Sequence, residues 1–415
     1  MNARFFNSFR CIVAIILMGY LSPGITAPLL TDKFISFADI HFNPFSDCKS
    51  SFKACPLANK LRAANYQEWE AIFNQYGTKK LPATKHDTNY ALFNSALAEW
   101  QRMNQQEHPK FGLILGDFLV HQFRTRYILY SHDTSRAGYQ NFVKKTLQFM
   151  TYKIHQTFPE IDVYAAVGNN DSYRGDYASV PNGKFFQETA QTWSTLIHDQ
   201  ANQNSLLRTF PQGGYYAVSL SHNQKQRILI LNTVLFSARA KGPHIDLAAK
   251  QELAWLHQQL VTAKEQKQDI ILAFHIPVGV DIYATLQNML TKVVMYWKPV
   301  YSDAFQAELK KFRSVVREVL PAHIHMDAFQ LVMVNQLGGI PVSFTPSISP
   351  IFGNNPAFKV FSYRSETMNL TQFETYFYSL KNPKNSGWQK EYSLNLPSRK
   401  VTSRKGNSER DRYNF

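Results

Sequence analysis

Residues 320–329 read LPAHIHMDAF: two histidines spaced two apart at the end of an apolar run, with an aspartate two residues further on. Side chains at i and i+2 of an extended chain project from the same face, so His323 and His325 can aim at one point. On spacing alone such a pair is more often two partly exposed histidines than a metal site. Its meaning depends on what the rest of the chain brings to it.

Working outward, polar donors recur at the ends of other apolar, β-rich runs. KFISFADIHF supplies Asp39 and His41, again two apart; KFGLILGDFL supplies Asp117; IDVYAAVGNND supplies Asn169; DIILAFHIP supplies His275. Further runs, YYAVSL with RILILNTVLF, IPVSFTPSIS, and FKVFSY with FETYFYSL, complete the set. They alternate with amphipathic helical candidates such as TNYALFNSALAEWQRM, YQNFVKKTLQFMTYKIHQTF and LAAKQELAWLHQQLVTAKEQ. This alternation is the pattern of an α/β protein, and no repeat or linker interrupts residues 33–380, so one large domain is expected. The segment ATLQNMLTKVVMYWKPVYSD reads as a buried helix, with the lining of a substrate entrance as the second reading.

In open α/β sheets the loops at the carboxyl ends of strands build the site. Singly, each histidine there would be a hydrogen-bonded structural residue, and each Gly-Asp or Gly-Asn a turn. Together, seven oxygen and nitrogen donors without a thiolate form the ligand set of a mixed imidazole and carboxylate metal site.

Composition sets the frame. A chain of 415 residues that is 44% hydrophobic and 14% aromatic buries a large core, which excludes a disordered protein. Arg4 and Arg10, the apolar run from Cys11 to Leu21 and the small residues before Pro28 read as a secretory signal over residues 1–27, the run being about half the roughly 20 residues of a membrane span. Export would leave Cys48 and Cys55 in an oxidising compartment, where pairing is expected; two free thiols or half of a zinc site are the alternatives. Of the net charge of +15, residues 381–415 carry nine basic against three acidic side chains. The stretch 396–415 is therefore expected to be a basic, solvated tail, with contact to anionic surfaces as its possible use, while residues 28–395 form the catalytic domain.

The order Asp-x-His, Gly-Asp, Gly-Asn, His, His-x-His resembles that of the calcineurin-like metallophosphoesterases. FHIPVG, AHIHMDAF and the late run SISPIFGNNPAFKVFSYRSETMNLTQFETYFYSL are similar to the acid sphingomyelinase and sphingomyelinase-like branch, without its saposin domain. The resemblance implies two packed mixed β-sheets flanked by helices, an α/β/β/α sandwich. It further implies two divalent ions, one held by Asp39, His41 and His325, the other by Asn169, His275 and His323, with Asp117 bridging. Zinc suits a set rich in imidazoles, with iron or manganese as alternatives.

The implied activity is hydrolysis of a phosphodiester, whether lipid, nucleotide or pyrophosphate, or polyphosphate; phosphomonoesterase action or an inactive binding protein on the same fold are alternatives. Two positions depart from the family pattern. Asn170 stands where a histidine steadies the phosphate or protonates the leaving group, which makes Asn170 and His121 the candidate catalytic residues. Ala322 replaces the glycine before His323. Asp327 is expected to orient His325.

Overall fold

Why the strand-like runs are so uniformly apolar becomes clear in the computed structural model, which describes residues 30–49, 53–289, 291–335, 338–381 and 387–396. Strands β1 (Thr31–Phe37), β2 (Phe111–Leu115) and β3 (Asp162–Ala166) lie parallel, and β10 (Ala357–Arg364), β11 (Leu370–Tyr378) and β12 (Trp388–Asn395) extend them antiparallel into one sheet of order β12-β11-β10-β1-β2-β3. The second sheet runs β4-β5-β6-β7-β9-β8. It contains β4 (Tyr216–Leu220), β5 (Asn223–Ile230), β6 (Asp269–Ala273), β7 (Val316–Leu320), β8 (Phe329–Asn335) and β9 (Gly338–Ser343), with β5, β6 and β7 parallel.

Period-two alternation divides the second sheet between two cores. Ile228, Ile230, Ile271 and Ala273 share one apolar cluster with Phe358 and Val360 of the first sheet, whereas Leu229, Ile270 and Leu272 face helices 245–265 and 299–311. The first sheet is covered by helices 90–107 and 136–157; Trp100 stacks on Phe37 with ring centroids 3.8 Å apart. The result is the α/β/β/α sandwich, and strands buried on both faces have no polar face to show.

Two strands have no counterpart in the sequence reading. β12 is largely polar and exposed, as an edge strand can be, and β8 is the opposite edge. The buried helix expected over 284–303 is overturned. A short helix, Ile282–Gln287, ends at Asn288, a mostly exposed loop follows, and Pro299 opens a new helix because proline at a first helical position has no N–H to lose. Cys48 and Cys55 form a disulfide. The expected signal segment, and the tail beyond Leu396 with its surface contact, lie outside the described residues. Among the described residues no helix is long and apolar enough to cross a membrane.

Candidate metal centre

The carboxyl ends of β1, β2 and β3 in one sheet and of β6 and β7 in the other point to the same place, and the chain turns sharply there. Asp39, His41, Asp117, His323 and His325 all have positive φ, between 44° and 73°. Non-glycine residues in this region carry strain of order 1–3 kcal/mol and persist only where the surroundings hold them, commonly at functional sites. Here the Asp39 N–H donates to the Gly116 carbonyl (3.0 Å) and the His41 N–H to the Asp117 carbonyl (2.9 Å), locking the β1 and β2 loops together. A Cβ at Gly168 would lie 2.1 Å from the Asp117 backbone nitrogen, so only glycine lets the β3 loop approach this closely. Ala322, by contrast, is not among the positive-φ residues, so its methyl group is accommodated.

All seven expected donors are brought together, although not on the extended backbone that the two-residue spacing suggested. His323 and His325 sit in a left-handed loop and face different partners. The His325 Nε2 lies 3.2 Å from the His41 Nε2 and 3.3 Å from the Asp39 Oδ1; the His323 Nδ1 lies 3.2 Å from the His275 Nε2. Asn169 Oδ1 is 3.1 Å from the same His275 Nε2. Asp117 Oδ2 stands between the two groups, 3.4 Å from His41 Nε2 and 3.3 Å from His275 Nε2.

The partners of the other ring atoms decide where the lone pairs point. His41 Nδ1 donates to the Leu119 carbonyl (3.1 Å) and His275 Nδ1 to the Leu115 carbonyl (2.7 Å), which leaves each Nε2 unprotonated in the neutral ring. The Tyr177 hydroxyl engages His323 Nε2 (3.3 Å), turning Nδ1 inward, and the Asn169 NH2 donates to Asp176 (2.7 Å), turning Oδ1 inward. His41 Nε2 and His275 Nε2, bare in the neutral ring, each crowd a second imidazole nitrogen at 3.2 Å, that of His325 and that of His323. Asp39 Oδ1 is buried without a hydrogen-bond partner. A cation between these atoms removes both conflicts, so the residues fit a metal.

The electrostatics carry the same imprint. Burial would raise the Asp39 and Asp117 carboxyls, but the neighbouring histidines hold both well below the ordinary carboxylate range. Burial would lower His275, yet the charges of Asp117 and Asp39 raise it to about 9, the mark of a site that favours positive charge. His323 is pushed down to about 3, first by burial and then by the charge of His275.

The remaining expectations fare differently. Asn170 donates its backbone N–H to Asp117 Oδ1 (2.8 Å) and its side-chain NH2 to Asp117 Oδ2 (2.9 Å), so the amide is spent on that carboxylate. His121 lies against the centre, its ring stacked on His41 at 4.0 Å, with Nδ1 2.9 Å from Asp87. The expected contact between Asp327 and His325 is overturned. The Asp327 carboxylate faces away, bound by Lys359 (2.5 Å), Thr375 (2.6 Å) and Tyr392 (2.7 Å).

Several contributors were not found from sequence. Asp87 is buried and also bound by Arg126 (3.2 Å). Asp171 accepts the N–H groups of Leu119 (3.1 Å) and Gly168 (2.9 Å), and burial with the nearby Asp117 charge raises its carboxyl to about 7. Asp171 was visible in GNND as an acid two residues after the expected ligand Asn169, whereas nothing local marks Asp87, 34 residues from its histidine. The Phe352 ring covers His325 at 4.6 Å, and Tyr296 covers His323 at 5.5 Å.

The chain is similar to several known proteins. An acid sphingomyelinase-like phosphodiesterase 3b of Homo sapiens is 24% identical over 380 residues, covering 87% of this chain and 75% of the relative. A sphingomyelinase phosphodiesterase D of Dictyostelium discoideum is 25% identical over 401 residues, covering 92% and 83%. A cyclic GMP-AMP phosphodiesterase of Homo sapiens is 26% identical over 261 residues, 59% of this chain and 54% of the relative. A solved dimetal phosphatase of Danio rerio matches 83% of this chain and 95% of its own at 12% identity and a TM-score of 0.44. The profile of the calcineurin-like phosphoesterases covers residues 33–327, and the chain belongs to that family of hydrolytic metallophosphoesterases.

Proposed function

We propose that the chain hydrolyses phosphodiesters with two divalent ions, one held by Asp39, His41 and His325 and the other by Asn169, His275 and His323, Asp117 serving both. The observation that carries this reading is the pair of groups of facing imidazole nitrogens with one carboxylate oxygen 3.3–3.4 Å from each. Divalent ions in such a site supply Lewis acidity and a nucleophile at neutral pH. Zinc is the proposed metal, because imidazole donors outnumber carboxylates.

The protein's own residues prepare the site for that chemistry. Asn170 fixes both oxygens of Asp117, and Asp171 ties the β2 and β3 loops behind it. His121 is the proposed general acid. With Nδ1 engaged by Asp87, the proton at Nε2 is the one to be delivered to the leaving oxygen. Asp87, held below its ordinary value by the His121 hydrogen bond and the charges of His41 and Arg126 despite burial, stays anionic and supports the imidazolium.

The substrate is a diester in the range that relatives' names span, from sphingomyelin to cyclic GMP-AMP. Export through the residue 1–27 leader is part of this proposal, supported by the Cys48–Cys55 disulfide. Elemental analysis of purified protein, followed by turnover on a sphingolipid, a cyclic dinucleotide and a polyphosphate, tests the reading. Two metals per chain and hydrolysis of a diester are expected; a metal-free protein, or one acting only on phosphomonoesters, overturns it.

A further inference from the structure

Seventeen large apolar side chains are exposed among the described residues, and eleven of them lie on the segment 280–293, on β8 with the adjoining Met326, or at Phe352. All three regions flank the metal centre. Tyr296, three residues beyond the first segment and tied to its start by its N–H to the Gly279 carbonyl (2.9 Å), packs on His323; β8 begins four residues after His325; Phe352 covers His325.

The two larger flanks are built with their apolar sides outward. In helix Ile282–Gln287 the buried residues are the small Ala284 and Thr285, while Ile282 and Leu286 face water and Met289 follows at 86% exposure. On β8, Val332 packs into the core, and Phe329, Leu331 and Met333 alternate outward on the edge of the sheet. This is the reverse of what a water-facing surface selects. Neither flank offers a free acid. Asp281 caps the helix and is bound by Arg239 (3.1 Å), β8 has no charged residue, and Lys292 is the exposed charge of the loop.

We infer that these flanks form a docking surface for a phospholipid bilayer, which they enter as apolar loops around the mouth of the metal centre. A second copy paired along β8 is the competing occupant. It fits less well, because the apolar side chains occupy separate flanks of a site that such a partner would cover, and because an apolar surface whose 280–293 loop exposes a lysine suits an interface of acyl chains and anionic headgroups. The inference concerns binding, so it does not depend on which diester is cleaved.

The experiment is co-sedimentation of the full chain with phosphatidylcholine vesicles, with and without phosphatidylserine, comparing wild type with Leu286→Glu/Met289→Glu and with Leu331→Glu/Met333→Glu. Turnover of bis(4-nitrophenyl) phosphate, a soluble diester, and metal content report on the catalytic site separately. Wild type is expected to sediment with vesicles, more so with phosphatidylserine. Each double variant should lose at least about tenfold in vesicle affinity, with soluble turnover and metal content unchanged. Absence of vesicle binding by the wild type, or equal binding by both variants, overturns the inference. So does a wild-type dimer in sedimentation velocity that Leu331→Glu/Met333→Glu dissociates.

Discussion

Asp117 is the residue on which the two halves of the centre meet. Its Oδ2 lies 3.4 Å from His41 and 3.3 Å from His275, and Asn170 steadies both its oxygens. Asp117→Asn keeps the shape but removes the charge that would balance the two proposed ions. Turnover should fall below detection and metal content should drop; a variant with two metals and near-normal rate would refute the bridging role. His121 invites a different test. Loss of a general acid hurts a poor leaving group far more than a good one, so His121→Ala should slow an alkyl diester by roughly 100-fold or more while largely sparing a nitrophenyl diester, with metal content unchanged. Equal losses on both would assign His121 to phosphate positioning.

A third residue lies away from the chemistry. Glu252 is fully buried on helix 245–265; it accepts the Asn232 N–H (2.6 Å), and burial raises its carboxyl well above the ordinary value. A carboxyl with its folded pKa above the unfolded one stabilises as the neutral form. Its contribution is present at pH below the unfolded value near 4.3 and is lost, by up to about 1.4 kcal/mol per pH unit, as pH rises toward the folded one. Glu252→Gln keeps the acceptor without that loss. Its thermal midpoint should exceed wild type at pH 8 and converge with it near pH 4; a constant gap would contradict the linkage.

At the scale of elements, the β7–β8 connection, residues 321–328, carries both His323 and His325 and is held at both ends. Its near end is tied by the Ala322 N–H to the His275 carbonyl (2.9 Å) and the His323 N–H to Asp39 Oδ2 (3.1 Å). Its far end is tied by Asp327 to the Lys359 ammonium on β10, which is fully buried and lies 4.0 Å from the Phe373 ring centroid. The loop is thus stapled to the opposite sheet by an ion pair. Removing one partner of a buried pair strands the other charge, a loss of roughly 3–5 kcal/mol. With Asp327 partly exposed, Lys359→Met should fall at the low end of that range in urea denaturation and should lower metal occupancy; adding Asp327→Asn should restore most of the stability. A single variant as stable as wild type would show that the pair does not hold the loop.

For the whole molecule, the proposed ions act as cross-links. Asp39, His41, Asp117 and Asn169 follow strands of one sheet, and His275, His323 and His325 follow strands of the other, so each ligand group draws on both sheets. Binding to the folded state alone stabilises it by about 4 kcal/mol when free metal is 1,000 times the dissociation constant. Chelation should therefore lower the thermal midpoint by several degrees, and adding back zinc should restore it. An unchanged midpoint after verified metal removal would mean that the sheets do not need the ions.

What the sequence determined by itself was the α/β alternation, the convergence of donors at strand ends and the family, because apolar periodicity and a fixed order of short motifs are local properties of the chain. The double sheet came from resemblance and was then seen in the packing, since which face of RILILNTVLF meets which layer depends on contacts far along the chain. Folding in three dimensions was needed to show that His323 and His325 turn to different partners, that Asp87 backs His121, that Asp327 belongs to Lys359, and that apolar side chains of 280–293 face outward. The first three are pairings across tens to hundreds of residues, fixed by left-handed loops and buried charges for which no local spacing encodes the partner.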